Sequence, residues 1–104
     1  MTTFDDRETA FENKFAHDEE LAFRAEARCN RLLGLWAAEL LGKTGESAEA
    51  FARDVVKADF EEAGHEDVVR KLAADLAGKA DADAIRARRA ELLIEARGQI
   101  LLEG

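Results

Sequence analysis

The chain has 104 residues and a formal net charge of −8, with one cysteine and no proline. This length predicts one domain with a single core, and the acidic charge argues against a nucleic-acid partner, whose backbone requires clustered positive charge. One cysteine excludes an internal disulfide, and no apolar run resembles a secretion signal or a membrane span, so we expect a cytoplasmic protein.

The composition favours helices over strands. The chain contains 21 alanines but only four valines and three isoleucines. Alanine, leucine, glutamate and arginine adopt a helix at little entropic cost, whereas β-branched residues suit strands. We therefore expect an all-α fold.

The first predicted element is the N-terminal segment, residues 1–17. Phe4, Phe11 and Phe15 follow a helical spacing among charged and small residues, a pattern typical of an amphipathic helix with a narrow aromatic stripe. A helix of this length is marginal in water when isolated. We expect the segment to be mobile in the free protein and to become ordered against a partner. The alternative is that its aromatic side chains fold back onto the rest of the protein.

Residues 18–104 are predicted to form a second unit, an antiparallel four-helix bundle. Breaks at residues 42–45, 64–65 and 78–83 each contain glycine, which ends helices, and Ser47 is expected to cap the second helix. The predicted helices span about residues 18–41, 48–63, 66–77 and 84–102. Each helix carries an apolar stripe. Because the connections are short, the four stripes can pack against one another in one core, and we expect Trp36 at its centre. The stripes are Cys29, Leu32, Leu33, Trp36 and Leu40; Phe51, Val55, Val56 and Phe60; Val68, Val69, Leu72 and Leu76; and Ile85, Leu92, Ala96 and Ile100.

No motif in the chain predicts catalysis, a cofactor or a metal. Residues 37–44 (AAELLGKT) fit a relaxed phosphate-loop pattern, but that loop needs a glycine-rich turn after a strand. We interpret these residues as the end of a helix. His17 and His65 are too isolated to form a zinc site with Cys29, whose place on an apolar stripe predicts a buried, unreactive thiol. No nucleophile has an evident base, so we do not expect an enzyme.

Arginines at helical steps allow two interpretations. Arg24, Arg28 and Arg31 form a basic strip on the first long helix. This strip is either a solvated face with ion pairs inside the helix or a contact for an acidic partner surface or a phosphate group. The same alternatives apply to Arg86, Arg88 and Arg89.

Three stretches in the first 42 residues carry a resemblance to a known family. They are FDDRE at residues 4–8, FENKFAHDEEL at residues 11–21 and EARCNRLLGLWAAELLG at residues 26–42. Together they resemble the inhibitor subunit zeta of alphaproteobacterial F-type ATP synthases. The resemblance extends over nearly the whole chain but is specific mainly in residues 4–42. One departure is Cys29, where a second basic residue after Arg28 would be expected.

The resemblance implies a four-helix bundle whose N-terminal segment enters an α/β catalytic interface of the F1 head, near the central stalk, and blocks ATP hydrolysis. The implied protein is a monomer when free, inserts into no membrane and reaches the inner membrane only through the ATP synthase. The alternative is a non-enzymatic regulatory module whose bundle surface binds another protein or a small ligand such as a nucleotide. The implied inhibitory residues are Phe4, Asp5, Arg7, Glu8, Phe11, Glu12, Lys14 and Phe15. The basic strip of Arg24, Arg28 and Arg31 is a candidate for a secondary contact with the partner, on the evidence of its spacing.

Overall fold

The computed structural model describes residues 3–61 and 66–103, and it describes the side chains of residues 18–59 and 66–103. These residues form four helices and no strand. The helices are α1 (Thr3–Leu40), α2 (Gly45–Glu61), α3 (Glu66–Asp75) and α4 (Ala82–Glu103). The predicted all-α fold with four helices is confirmed.

The start of α1 differs most from the sequence-based boundary. The helix begins at Thr3 rather than near residue 18 and continues without a break to Leu40. A physical reason is that neither proline nor glycine occurs between Thr3 and Ala27, and the first glycine of the chain is Gly34. The side chains of the N-terminal segment lie outside the described residues, and its mobility in the free protein stays a prediction.

The ends of the helices follow local hydrogen bonding. Gly42 has a φ of 75°, its N–H donates to the Glu39 carbonyl at 3.0 Å, and the Lys43 N–H donates to the Ala38 carbonyl at 2.9 Å. This pair of bonds is a Schellman motif, which satisfies carbonyls at the end of a helix. The interpretation of residues 37–44 as a helix end is therefore confirmed. The expected cap at Ser47 is wrong, because α2 already begins at Gly45.

The core lies where the apolar stripes of all four helices meet. Its largest fully buried side chains include Leu33 from α1, Val55 from α2, Leu72 from α3 and Ile85 from α4. Trp36 is only partly buried and packs against this core from its edge, so its predicted central place is wrong. Smaller side chains, mainly leucine, valine and alanine, fill the close-packed space between the helices, and the indole lies against them. Further core residues are Cys29, Ala37, Val68, Val69, Leu76, Leu92 and Ala96, whereas Phe60 lies outside the described side chains.

The long helix α1 packs against both α2 and α4, and both neighbours run antiparallel to it. As the residue number rises from Arg24 to Cys29 on α1, that of the contacted residue on α4 falls from Glu103 to Arg89. Only residues 41–44 separate α1 from α2, so α2 turns back along α1, and Gly34 faces Ala52 and Val55. Close approach is possible there because Gly34 has no side chain: a Cβ atom at this position would lie 2.7 Å from the Cα atom of Ala52. The antiparallel arrangement in the prediction is thus confirmed for α1 and its two neighbours.

Candidate functional site

The feature that sets this molecule apart from a compact bundle is the length of α1. Its 38 residues span about 57 Å, whereas the 22 residues of α4 span about 33 Å, at about 1.5 Å per residue. The molecule measures 63 × 25 × 22 Å, so its long dimension is that of α1. Since α4 runs antiparallel to α1 and ends beside Arg24, the N-terminal part of α1 continues past the end of its neighbour.

The residues implied as inhibitory all belong to this N-terminal part. The backbone from Thr3 onward is helical, so Phe4, Phe11 and Phe15 share one face of α1 by their spacing. Their side chains, and those of Asp5, Arg7, Glu8, Glu12 and Lys14, lie outside the described residues. Their role in binding stays a prediction.

A set of polar contacts, here called the α1–α4 clasp, joins the two helices at the end of the bundle. Arg28 donates to Gln99 Oε1 at 2.7 Å and forms an ion pair with Glu103 at 2.7 Å. Arg24 lies 3.7 Å from the same carboxylate. The predicted ion pairs inside α1 are therefore replaced by pairs between helices. Each pair is partly exposed and contributes about 0–1 kcal/mol, but together they fix where α1 leaves α4.

A basic groove lies next to the clasp, between α1 and α2. It has a volume of about 640 Å³, and its basic side chains come from both helices: Arg24, Arg28 and Arg31 from α1, and Arg53 and Lys57 from α2. Its apolar lining consists of Phe23, Ala27, Val56 and Ile100. The structure thus brings the predicted arginine strip of α1 together with two cations that the sequence analysis did not single out.

Arg89 fits neither of the two interpretations of the arginines on α4, a solvated face or a contact for a partner. Its side chain is 7% exposed and forms an ion pair with Glu26 of α1, whereas Arg86 and Arg88 pair with carboxylates at the surface. The backbone carbonyl of Arg89 also accepts a hydrogen bond from Cys29 Sγ at 3.5 Å. Burying a cation is costly unless it is paired, so Glu26 stabilises this packing.

The predicted burial of Cys29 is confirmed, and its side chain is fully buried. Burial raises the pKa of the Cys29 thiol, an effect that the nearby Arg89 partly opposes. The thiol form therefore predominates near neutral pH, and the thiolate is the nucleophile in cysteine chemistry. Cys29 consequently serves packing in this structure.

Neither metal ligation nor membrane crossing is apparent in the part of the chain that the structure describes. No group of three or more histidine, cysteine or acidic side chains there could hold a metal ion. None of the helices there combines the length and apolar character that crossing a bilayer requires. His17 and His65, whose isolation in the sequence argues against a zinc site, lie outside the described side chains.

Comparison with known proteins connects this architecture to a described family. The family model "ATPase inhibitor subunit zeta" matches residues 1–99. A protein with a solution NMR structure is 55% identical, and the match covers 79% of this chain and 96% of that chain with a TM-score of 0.72. No curated protein matches the sequence. The likeness therefore extends to sequence as well as to the fold.

Proposed function

Because this chain belongs to the ATPase inhibitor subunit zeta family, we propose that it inhibits ATP hydrolysis by the F1 head of an F-type ATP synthase. The N-terminal part of α1 enters a catalytic interface between subunits, near the central stalk, and obstructs the movements that hydrolysis requires. The protein meets F1 from the cytoplasmic side and acts without chemistry of its own.

One observation carries this proposal: α1 is far longer than the helices that pack on it. Residues 3–17 form about 22 Å of helix at about 1.5 Å per residue, at the end that continues past α4. A protruding helix with an aromatic stripe is suited to a cleft, because a chain end meets little steric hindrance and aromatic anchors dominate binding energy at interfaces. The candidate contacts of this stripe are Phe4, Phe11 and Phe15.

The rest of the protein has a separate task in this mechanism. The bundle and the α1–α4 clasp hold the base of the inhibitory helix in one direction, which reduces the entropy lost when the helix binds. Additional contacts between bundle and F1 raise the effective concentration of the helix at its cleft. Inhibition then depends on the N-terminal part of α1, while affinity depends on both parts.

The test is ATP hydrolysis by isolated F1 that has been stripped of its own inhibitor. Full-length protein is titrated beside a form without residues 1–17 and beside the double variant Phe11→Ala and Phe15→Ala. We expect saturating inhibition by the full chain, none by the shortened form, and at least about a hundredfold weaker inhibition by the double variant, since each aromatic anchor contributes about 2 kcal/mol.

A matched control removes two exposed apolar side chains elsewhere. Ile94 is 71% exposed on α4, and Leu40 is 37% exposed at the end of α1. The double variant Ile94→Ala and Leu40→Ala should inhibit like the unmodified protein. If the form without residues 1–17 inhibits as well as the full chain, the proposal is wrong and the active surface lies on the bundle, as the alternative regulatory-module interpretation requires.

A further inference from the structure

The basic groove concentrates positive charge on an acidic protein. The chain carries a formal net charge of −8 and 15 lysines and arginines, and five of these cations line this one groove. Three of them belong to α1 and two to α2, so the groove depends on the packing of the two helices. A concave patch whose charge is opposite to that of the whole molecule steers a complementary partner.

The ion pairs of the groove neutralise only part of its charge. Arg24 and Arg28 share the carboxylate of Glu103, and Arg31 pairs with Glu49. Arg53 and Lys57 form no ion pair in the part of the chain that the structure describes, and both are exposed. Five cations and two carboxylates leave a surplus of three positive charges, which is available to an incoming anionic group.

The shape of the groove favours an extended partner over a compact anion. Arg24 and Arg31 are seven residues apart on α1, or about 10 Å along the helix, and Arg53 and Lys57 are about 6 Å apart on α2. The groove thus has a row of cations on each side, and its lining between them is apolar. A helix with an apolar stripe and carboxylates on both flanks matches this arrangement, whereas a single phosphate would reach only one end of it.

We propose that the basic groove binds an acidic amphipathic helix on the surface of the enzyme that this protein inhibits. The proposal rests on the proposed function and names a second contact for it, separate from the N-terminal part of α1. The groove lies beside the point where α1 leaves the bundle, so a helix seated in it positions the bundle at the entrance of the cleft. Rim charges of this kind act mainly on the rate of association and on salt dependence.

The experiment reverses the two groove cations that have no ion pair to lose. The groove variant, Arg53→Glu with Lys57→Glu, is compared with a control variant, Arg70→Glu with Lys79→Glu. The control makes the same change in net charge at exposed positions on α3 and in the turn after it, and it gives up one surface ion pair, between Arg70 and Asp67. Inhibition of stripped F1 and binding of the full-length proteins to immobilised F1 are both measured at low and high salt. Far-UV circular dichroism and thermal unfolding confirm that both variants are folded.

We expect the groove variant to need about tenfold more protein for half-maximal inhibition and half-maximal binding at low salt, with the same maximal inhibition at saturation. The difference should shrink at high salt, because the charges are screened. The control variant should stay within about twofold of the unmodified protein. Equal affinities of the two variants would overturn the proposal while leaving the proposed function intact.

The two measurements separate this proposal from the proposed function. Binding without inhibition by the unmodified protein would contradict the proposed function, and loss of that binding in the groove variant would still support the acidic-helix partner. Absence of both binding and inhibition would overturn both proposals. Binding of the proteins to phosphatidylglycerol vesicles is measured in addition. If the groove variant loses this binding and keeps its affinity for F1, the groove is a lipid-binding surface and the acidic-helix partner is wrong.

Discussion

The contact between α1 and α2 at Gly34 gives the sharpest test of the packing. A Cβ atom added to Gly34 would lie 2.7 Å from the Ala52 Cα atom, 3.2 Å from the Ala52 Cβ atom and 3.3 Å from the Val55 Cβ atom. The nearest of these atoms belongs to the backbone of α2, so no side-chain rotation relieves the contact. The substitution Gly34→Ala therefore forces the two helices apart.

Two effects of Gly34→Ala oppose each other. Alanine in a helix interior is favoured over glycine by about 1 kcal/mol. Inserting a methyl group into a closely packed core costs about 1–3 kcal/mol, and a clash with backbone places Gly34 at the upper end of that range. We expect a net loss of about 1–2 kcal/mol in the free energy of unfolding, which corresponds to a decrease of about 4–16 °C in melting temperature.

Gly98→Ala provides the matched control. Gly98 lies within α4, is exposed and would have no neighbouring atom within 4 Å of an added Cβ atom. Only the helix-propensity effect remains, so this variant should be more stable by about 0.5–1 kcal/mol. Urea unfolding followed by far-UV circular dichroism measures both variants. Gly34→Ala matching the stability of Gly98→Ala would refute the close approach of α1 and α2.

Three further predictions concern the core, with stability again read from urea unfolding. Glu26→Gln leaves the buried Arg89 without its carboxylate and should lower the free energy of unfolding by about 1–3 kcal/mol. Adding Arg89→Met should recover part of this loss, because no cation is then left buried without a partner. An unchanged stability of Glu26→Gln would contradict the ion pair. Cys29, buried and with a raised pKa, should react with iodoacetamide at least about a hundredfold more slowly in the native protein than in urea at mildly alkaline pH. Leu33 is fully buried, so Leu33→Ala should lower the free energy of unfolding by about 2–5 kcal/mol. Leu102 is 90% exposed, so Leu102→Ala should change it by less than about 0.5 kcal/mol. Similar effects of the two substitutions would place Leu33 outside the core.

The apolar stripes of α3 and α4 were predictable because burial there follows the helical repeat directly. Val68, Val69 and Leu72 are buried on α3, and Ile85 and Ile100 are buried on α4, as their spacing predicts. The partial burial of Trp36 was not predictable in this way. Periodicity identifies the face of a helix that is buried, but the depth of a side chain on that face depends on how closely the neighbouring helix approaches.

The charged parts of the site show the same limit. Arg89 lies on the apolar stripe of α4, four residues after Ile85 and three before Leu92, so its burial had a signal in the sequence. Its partner Glu26 had no such signal, because a pair between helices depends on their relative rotation and offset. For the same reason, the sequence did not predict that Arg53 and Lys57 would lie beside the strip of Arg24, Arg28 and Arg31.

The start of α1 at Thr3 changes how the parts of the proposed site work together. Arg24 and Arg28 hold α1 against α4 at Glu103, and the same helix continues toward Thr3 without an intervening loop. A continuous helix transmits direction, whereas a flexible linker transmits only proximity. In the proposed mechanism, contacts made by the bundle therefore orient the N-terminal part of α1 as well as retaining it. A partner helix in the basic groove would then aim this part of α1, which a contact on a flexibly tethered peptide would not do.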